Sequence, residues 1–369
     1  MPDIPASTLS SLAHHSVAVI HAGQARSGAY VASPNFPVYR YSWLRDGAFI
    51  ADAMSRAGEI ASAESFFAWC AGVLVARRER VERLLTLRAA DEPIPTADFL
   101  HARFTLHGLE GEAEWANVQL DGYGAWLWAL DAHRRRHGRS IEPFIAGASL
   151  SAAYIAAFWA DPCSDWWEEQ PDQRHTSTLA AVHAGLRAAA GWSELPAALR
   201  STADTAAAEL AGLVRADALR LGHFPKWLGG DAIDASLIAV ATPFEMVSVA
   251  DPLMVATMER IEAELTDGGG VHRYALDTYY GGGQWPLLAA FLGWQQLRAG
   301  RTAAALAQLE WVARQATTEG DLPEQVNDHL LAPAAERAWL ERWGPVATPL
   351  LWSHAMFLTL ALELGVRIG

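Results

Sequence analysis

The 369-residue sequence predicts an all-α fold, an (α/α)6 barrel made as a toroid of six helical hairpins. Three observations lead there. Twelve segments of helical length and periodicity recur between Gly, Pro and Asp clusters, and alternating strand patterns are scarce. Every second connection between these segments is crowded with Trp, Tyr, Arg and carboxylates, while the intervening ones are plainer. Roughly 30 residues go to each helix with its loop, which suits antiparallel pairs packed in two concentric rings, one ring's N-terminal ends converging on a common pocket.

The elements follow in chain order. A first helix covers 8–22. The run YRYSWLRDG (39–47) leads into a second, 47–57, which Gly58 closes. A third spans 60–85. WANVQLDGYG (115–124) leads into the fourth, 122–136, and a fifth covers 143–160. SDWWEEQPDQRHTST (164–178) leads into the sixth, 176–190, where Ser177 and Thr178 after the turn at Pro171 mark a helix start. Helices at 195–217 and 234–241 precede a ninth, 252–266, with Pro252 in its first turn. HRYALDTYYGGGQWP (272–286) enters the tenth, 284–298, and the eleventh is 301–317. TPLLWSHA (348–355) opens the twelfth, 350–364. No fixed-period repeat points to a solenoid and no Ser/Gly-rich linker divides the chain, so residues 1–369 are expected to form one domain.

Composition narrows the function. With 28 Lys+Arg against 42 Asp+Glu the net charge is −14, against a nucleic-acid partner. Hydrophobic residues at 51% and charged ones at 19% support a large core rather than disorder. No stretch of about 18 apolar residues suggests a membrane span. MPDIPASTLSS lacks a charged n-region and an apolar h-region, so a cytoplasmic protein is expected. Cys70 and Cys163 are too few for a disulfide framework. The oligomeric state is not legible.

Trp is unusually abundant, 16 against 12 Phe and 8 Tyr. Trp43, Trp115, Trp166, Trp167, Trp227, Trp285 and Trp352 stand beside turn residues and charges, where a flat ring can meet the apolar face of a sugar. Taken singly, each is equally a core residue with a satisfied N–H. GxSxG, Walker, HExxH and CxxC motifs are absent, and Gly281-Gly282-Gly283 lacks the strand and spacing of a dinucleotide site. The pairs His14/His15 and His101/His107 lack metal-ligand spacing, so no metal and no cofactor are expected. Glu168 and Glu169 sit in DWWEE, where flanking Trp could desolvate a carboxyl, raise its pKa and keep a proton for general-acid work. Glu324 sits in DLPEQ, a polar loop without an adjacent cation, where a carboxylate staying ionised could activate water. Two such carboxylates about a Trp-lined pocket are the equipment for glycoside hydrolysis. Read one at a time, all three are also ordinary solvated loop acids.

The order YRYSWLRDGAF, W-x-x-x-Q-x-D-G-Y-G, DWWEE, HRYALDTYYGGGQW, LPEQ and LLWSHA resembles glycoside hydrolase family 15, the glucoamylase family of inverting enzymes. The resemblance runs from about Pro34 to Leu364 and implies an (α/α)6 barrel. It implies that Glu168 is the general acid and Glu324 the general base. Arg45, Asp46 and Arg273 would hold hydroxyls of the non-reducing-end glucose, with Tyr39 near the forming oxocarbenium ion. Trp43, Trp115, Trp167, Glu169, Tyr279 and Trp352 would line the subsites. Bacterial members commonly carry an N-terminal β-sandwich and fungal ones a starch-binding module; this chain has room for neither. Its expected substrate is therefore a small oligosaccharide, first isomaltose and short α-1,6-linked isomaltooligosaccharides, then maltooligosaccharides and trehalose. A non-catalytic sugar-binding protein on the same fold would not need both carboxylates. A uronate-processing enzyme would need more cations than Arg45, Arg174 and Arg273 supply.

Overall fold

A computed structural model of the chain describes residues 4–111 and 114–368. Helices α1 (Ala6–Ala22), α2 (Leu44–Arg56), α3 (Ile60–Val75) and α4 (Arg78–Ala89) come first. Next are α5 (Asp121–His137), α6 (Ile145–Phe158), α7 (Thr176–Gly191) and α8 (Ala197–Leu221). A 3-10 segment, Ala235–Val240, leads to α9 (Pro252–Leu265), α10 (Pro286–Arg298), α11 (Thr302–Arg314), α12 (Pro333–Trp343) and α13 (Leu351–Glu363).

The contacts close an inner ring, with an outer layer of helices around it. α2 packs on α5, α5 on α7, α7 on the 3-10 segment, that segment on α10, α10 on α13, and α13 on α2. Outside them α1 covers α13, α3 covers α2, α6 covers α5, α8 covers α7, α9 covers the 3-10 segment and α11 covers α10. This is the (α/α)6 barrel expected from the sequence. The inner helices are buried nearly all round, and α5 and α7 cross at glycine: a Cβ on Gly124 would lie 2.2 Å from the Ala181 carbonyl oxygen. Such close approach needs glycine at the crossing. Along the barrel axis Phe49 stacks on Trp352 (5.3 Å) and meets Phe291, Trp128 and Phe244, so aromatic rings plug the barrel.

Four expectations about elements change. The helix expected over 60–85 is two, α3 and α4, bent by 59°. At the break Arg77 bonds Glu110 and the Val73 and Gly108 carbonyls, and neither Gly nor Pro marks the position in the sequence. The helix expected over 234–241 is 3-10, because Asp234 caps Ser236 N–H at 2.8 Å while its carboxylate is held by Lys226 at 2.9 Å. α12 was not expected. Two short antiparallel pairs also form, β1 (Ser42–Trp43) with β2 (Arg103–Phe104), and β3 (Thr266–Asp267) with β4 (Gly270–Val271). The first sets Trp43 opposite Arg103. No single helix among the described residues is long and apolar enough to cross a membrane.

Candidate active site

The N-terminal ends of the inner ring open into a cavity of about 350 Å3. All twelve side chains that the family resemblance assigned to the site line it: Tyr39, Trp43, Arg45, Asp46, Trp115, Trp167, Glu168, Glu169, Arg273, Tyr279, Glu324 and Trp352; of the other Trp singled out, Trp166 and Trp285 join them and Trp227 does not. Five loops and two helix starts deliver them, so residues 313 positions apart in the chain (352 − 39) line one cavity.

Glu168 is presented by a tight turn. Asp165 Oδ1 accepts the backbone N–H groups of Trp167 and Glu169, each at 2.9 Å, and the Glu168 N–H returns to the Asp165 carbonyl at 3.0 Å. Glu168 has φ of 67°, a left-handed conformation that costs on the order of 1–3 kcal/mol and persists only where surroundings enforce it. Those surroundings are a buried trio, with Lys226 Nζ 3.3 Å from Asp165 and 2.9 Å from Asp234, whose carboxylate also accepts the Trp167 indole N–H. The Glu168 carboxylate accepts three bonds: Trp43 Nε1 at 2.6 Å, Trp115 Nε1 at 2.6 Å and Gln119 Nε2 at 2.9 Å. The rings that hold it are thus Trp43 and Trp115, where the sequence pointed to the adjacent Trp166 and Trp167. Behind them lies Arg103, its guanidinium 3.8 Å from the Trp115 ring centre and 5.3 Å from that of Trp43.

Glu324 faces a different environment from the polar loop expected. It is buried, 3% exposed, because Tyr39 and Tyr279 close over it. Tyr39 Oη donates to Oε1 at 2.9 Å and Tyr279 Oη to Oε2 at 3.2 Å, and the two hydroxyls lie 2.9 Å apart. Burial pushes this carboxyl up to about 7; the tyrosine bonds and Arg273 oppose the rise, and Asp46 adds to it. Its donors are neutral, which distinguishes it from the ion-paired acids elsewhere.

Two arginines anchor the cavity. Arg45 donates to Gln119 Oε1 at 2.7 Å and Asp121 Oδ2 at 2.8 Å, so one residue ties the α2 and α5 starts together. Beside it Asp46 is pushed up to about 7, by burial first. Its nearest cationic atom is Arg45 Nε at 3.7 Å, too long for a hydrogen bond. Arg273 makes a fork onto Asp277, 2.7 and 2.5 Å, with a weaker 3.4 Å contact to Glu169. Glu169 accepts the Tyr274 hydroxyl at 2.6 Å and is shifted upward by burial. Arg45 Nε and the indole N–H groups of Trp166, Trp285 and Trp352 are buried at the cavity without a hydrogen-bond partner. Among the described residues no group of His, Cys, Asp and Glu is arranged to hold a metal ion.

Sequence reasoning missed part of the site. Gln119 and Asp121 stood in a quoted motif, but their pairing with Glu168 and Arg45 needs the fold. Trp339, Arg342 and Trp343 of α12 line the cavity, with Trp343 stacked parallel to Trp115 at 6.4 Å. The i, i+4 spacing of Trp339 and Trp343 was the available signal.

The sequence profile described as "Glycosyl hydrolases family 15" matches residues 9–339. An isomaltose glucohydrolase of Kribbella flavida is 48% identical over 360 residues, 97% of this chain and 94% of that protein. A solved glycosidase superposes with a TM-score of 0.95 at 46% identity over 98% of both chains, and a variant of it has been solved in complex with glucose. The glucoamylase from Saccharomycopsis fibuligera, 13% identical with a TM-score of 0.75 over 96% and 94% of the two chains, shares the fold. With the profile spanning most of the chain and close identity over nearly its full length, this chain belongs to glycosyl hydrolase family 15.

Proposed function

We propose that the protein is an exo-acting, inverting α-glucosidase that removes one glucose at a time from the non-reducing end of isomaltose and short α-1,6-linked isomaltooligosaccharides. One observation carries the reading: two glutamates from different loops, each with its own hydrogen-bond donors, line one cavity whose floor is sealed by aromatic rings. A blind cavity admits a chain end and not a chain middle. The likeness to an isomaltose glucohydrolase, nearly end to end in both chains, supports the linkage.

In this mechanism Glu168 gives its proton to the glycosidic oxygen while water, losing a proton to Glu324, attacks the anomeric carbon from the opposite face. The products are β-glucose and the free hydroxyl of the leaving sugar. The two carboxyls then exchange a proton through solvent and the cycle closes. Arg45, Asp46 and Arg273 orient the ring by charge-assisted bonds to hydroxyls, and Glu169 takes the leaving sugar. The chain acts as one catalytic domain in the cytoplasm, a compartment that suits its free buried thiols Cys70 and Cys163. Released glucose measured on isomaltose, maltose, trehalose, panose and soluble starch tests the proposal. Isomaltose should give the highest kcat/KM; a higher value on maltose or trehalose overturns the linkage assignment, and no release from any overturns the activity.

A further inference from the structure

The motif LLWSHA contains two polar residues, Ser353 and His354, that do not line the cavity and yet are fully buried on α13. Burying a hydroxyl and an imidazole is costly unless both are hydrogen-bonded, so their partners matter. His354 Nε2 lies 2.9 Å from the backbone nitrogen of Leu322. That amide can only donate, so Nε2 accepts, and the ring proton sits on Nδ1, facing Ser16 Oγ of α1 at 2.9 Å. Ser353 Oγ donates to the Pro323 carbonyl at 2.7 Å. Two backbone bonds complete the set: Leu350 N–H to Leu322 O and Glu324 N–H to Ala347 O, both 2.9 Å.

Pro323 has no N–H. From the Leu322 amide to the Glu324 amide, every backbone polar group is therefore held by residues 347–354, and two of the four anchors are side chains. On the far side, Val326 exchanges two backbone bonds with Gln284, at 2.8 and 3.0 Å. Glu324 sits between these two clamps.

We propose that Ser353 and His354 are positioning residues for hydrolysis: they fix the Leu322–Pro323 backbone and thereby set the reach of the Glu324 carboxylate toward the attacking water. The inference rests on the reading of Glu324 as the base. A displacement of about 1 Å at a reacting group can cost on the order of 10²-fold in rate, so loss of one side-chain anchor is enough to matter. Burial keeps the imidazole neutral, pushing it down to about 3 with His15 nearby, so the acceptor on Nε2 persists across the working pH range.

His354→Gln places an acceptor near the position of Nε2, and His354→Asn places its amide near Nδ1 only. The expected result is kcat on isomaltose within about threefold of wild type for the Gln variant and down roughly 10–100-fold for the Asn variant and for Ser353→Ala, with KM and glucose inhibition unchanged. A purely structural role would lower the Gln and Asn variants alike and move KM and thermal midpoint with kcat. Near-wild-type kcat in both His354→Asn and Ser353→Ala, or equal losses in the two His354 variants, overturns the inference. If His354→Asn does not fold, Ser353→Ala decides alone. Glu324→Gln separates the two readings: full activity there removes the base assignment itself, whereas an inactive Glu324→Gln beside active anchor variants removes only this one.

Discussion

The Tyr39 hydroxyl donates a 2.9 Å hydrogen bond to Oε1 of Glu324, a carboxyl that burial pushes up to about 7. Tyr39 comes from the turn before α2 and Glu324 from the loop after α11, so the bond joins two remote parts of the barrel. A donor to a carboxylate favours its ionised form, and a base must be ionised to take a proton from water. The tyrosine pair thus offsets part of the cost of burying the charged carboxylate, the proposed base.

Tyr39→Phe removes that donor. The remaining 3.2 Å bond from Tyr279 is longer, so the carboxyl should rise further. A hydrogen bond to a charged group contributes about 1.5–3 kcal/mol, which corresponds to roughly one pH unit or more. The acidic limb of the kcat/KM profile, which reports the free enzyme, should move to higher pH. An unmoved limb in Tyr39→Phe with Glu324 intact would separate the titration from this carboxyl.

Glu324→Gln should abolish turnover and also stabilise the fold, with a definite pH dependence. The carboxyl is raised from 4.5 to about 7 in the folded state, so the folded protein holds this proton more tightly than the unfolded chain. The cost of the buried charge is absent below about pH 4.5, grows as pH rises to about 7, and is constant above. Removing the charge should therefore stabilise by roughly 3 kcal/mol at pH 8 and by nothing at pH 4, before the coupling to Asp46 is counted. Denaturant unfolding of both proteins at the two pH values measures it; an equal difference at both contradicts the assignment.

What the sequence revealed and what it hid divide along physical lines. Inner helices such as α5 and α7 were legible because burial on all sides leaves continuous apolar runs, and the motif loops before them carried the site. α12 was hidden because none of its residues is fully buried; it lies over the Tyr279–Gly281 turn, with Trp339 and Trp343 only partly buried as its inward apolar ridge. Arg103 was hidden because HARFTLHG carries no site-like pattern, and its role depends on the β1–β2 pairing that sets it behind Trp43. The environment of Glu324 was misread from DLPEQ because the residues that bury it, Tyr39 and Tyr279, are remote in sequence. Local composition cannot report a neighbour 285 residues away.

The adjacent acids Glu168 and Glu169 should separate cleanly. Glu168→Gln keeps the shape but removes the proposed proton donor, and general-acid assistance is worth ~10²–10⁴ in rate, so kcat should fall by that order with the fold intact. Glu169 bonds Tyr274 and Arg273 at the cavity wall, so Glu169→Gln should mainly raise KM. Steady-state kinetics on isomaltose tests both. A Glu168→Gln enzyme within about threefold of wild type would exclude it as the acid, and equal kcat losses at unchanged KM would contradict the division of roles.

The stereochemistry of the product tests the whole arrangement. Glu168 and Glu324 have separate donor sets, and one donor from each, Trp43 and Tyr39, meet with ring centres 5.6 Å apart. Inverting enzymes hold the two carboxyls about 6.5–9.5 Å apart for that water, whereas retaining pairs sit at about 5–5.5 Å and attack the sugar directly. Glu324 should therefore never bond to glucose, and an α-linked substrate should release β-glucose first. Proton NMR of the anomeric signals in the opening minutes, before mutarotation, reads the outcome. α-Glucose appearing first would require a covalent intermediate, and the base role of Glu324 would have to be given up.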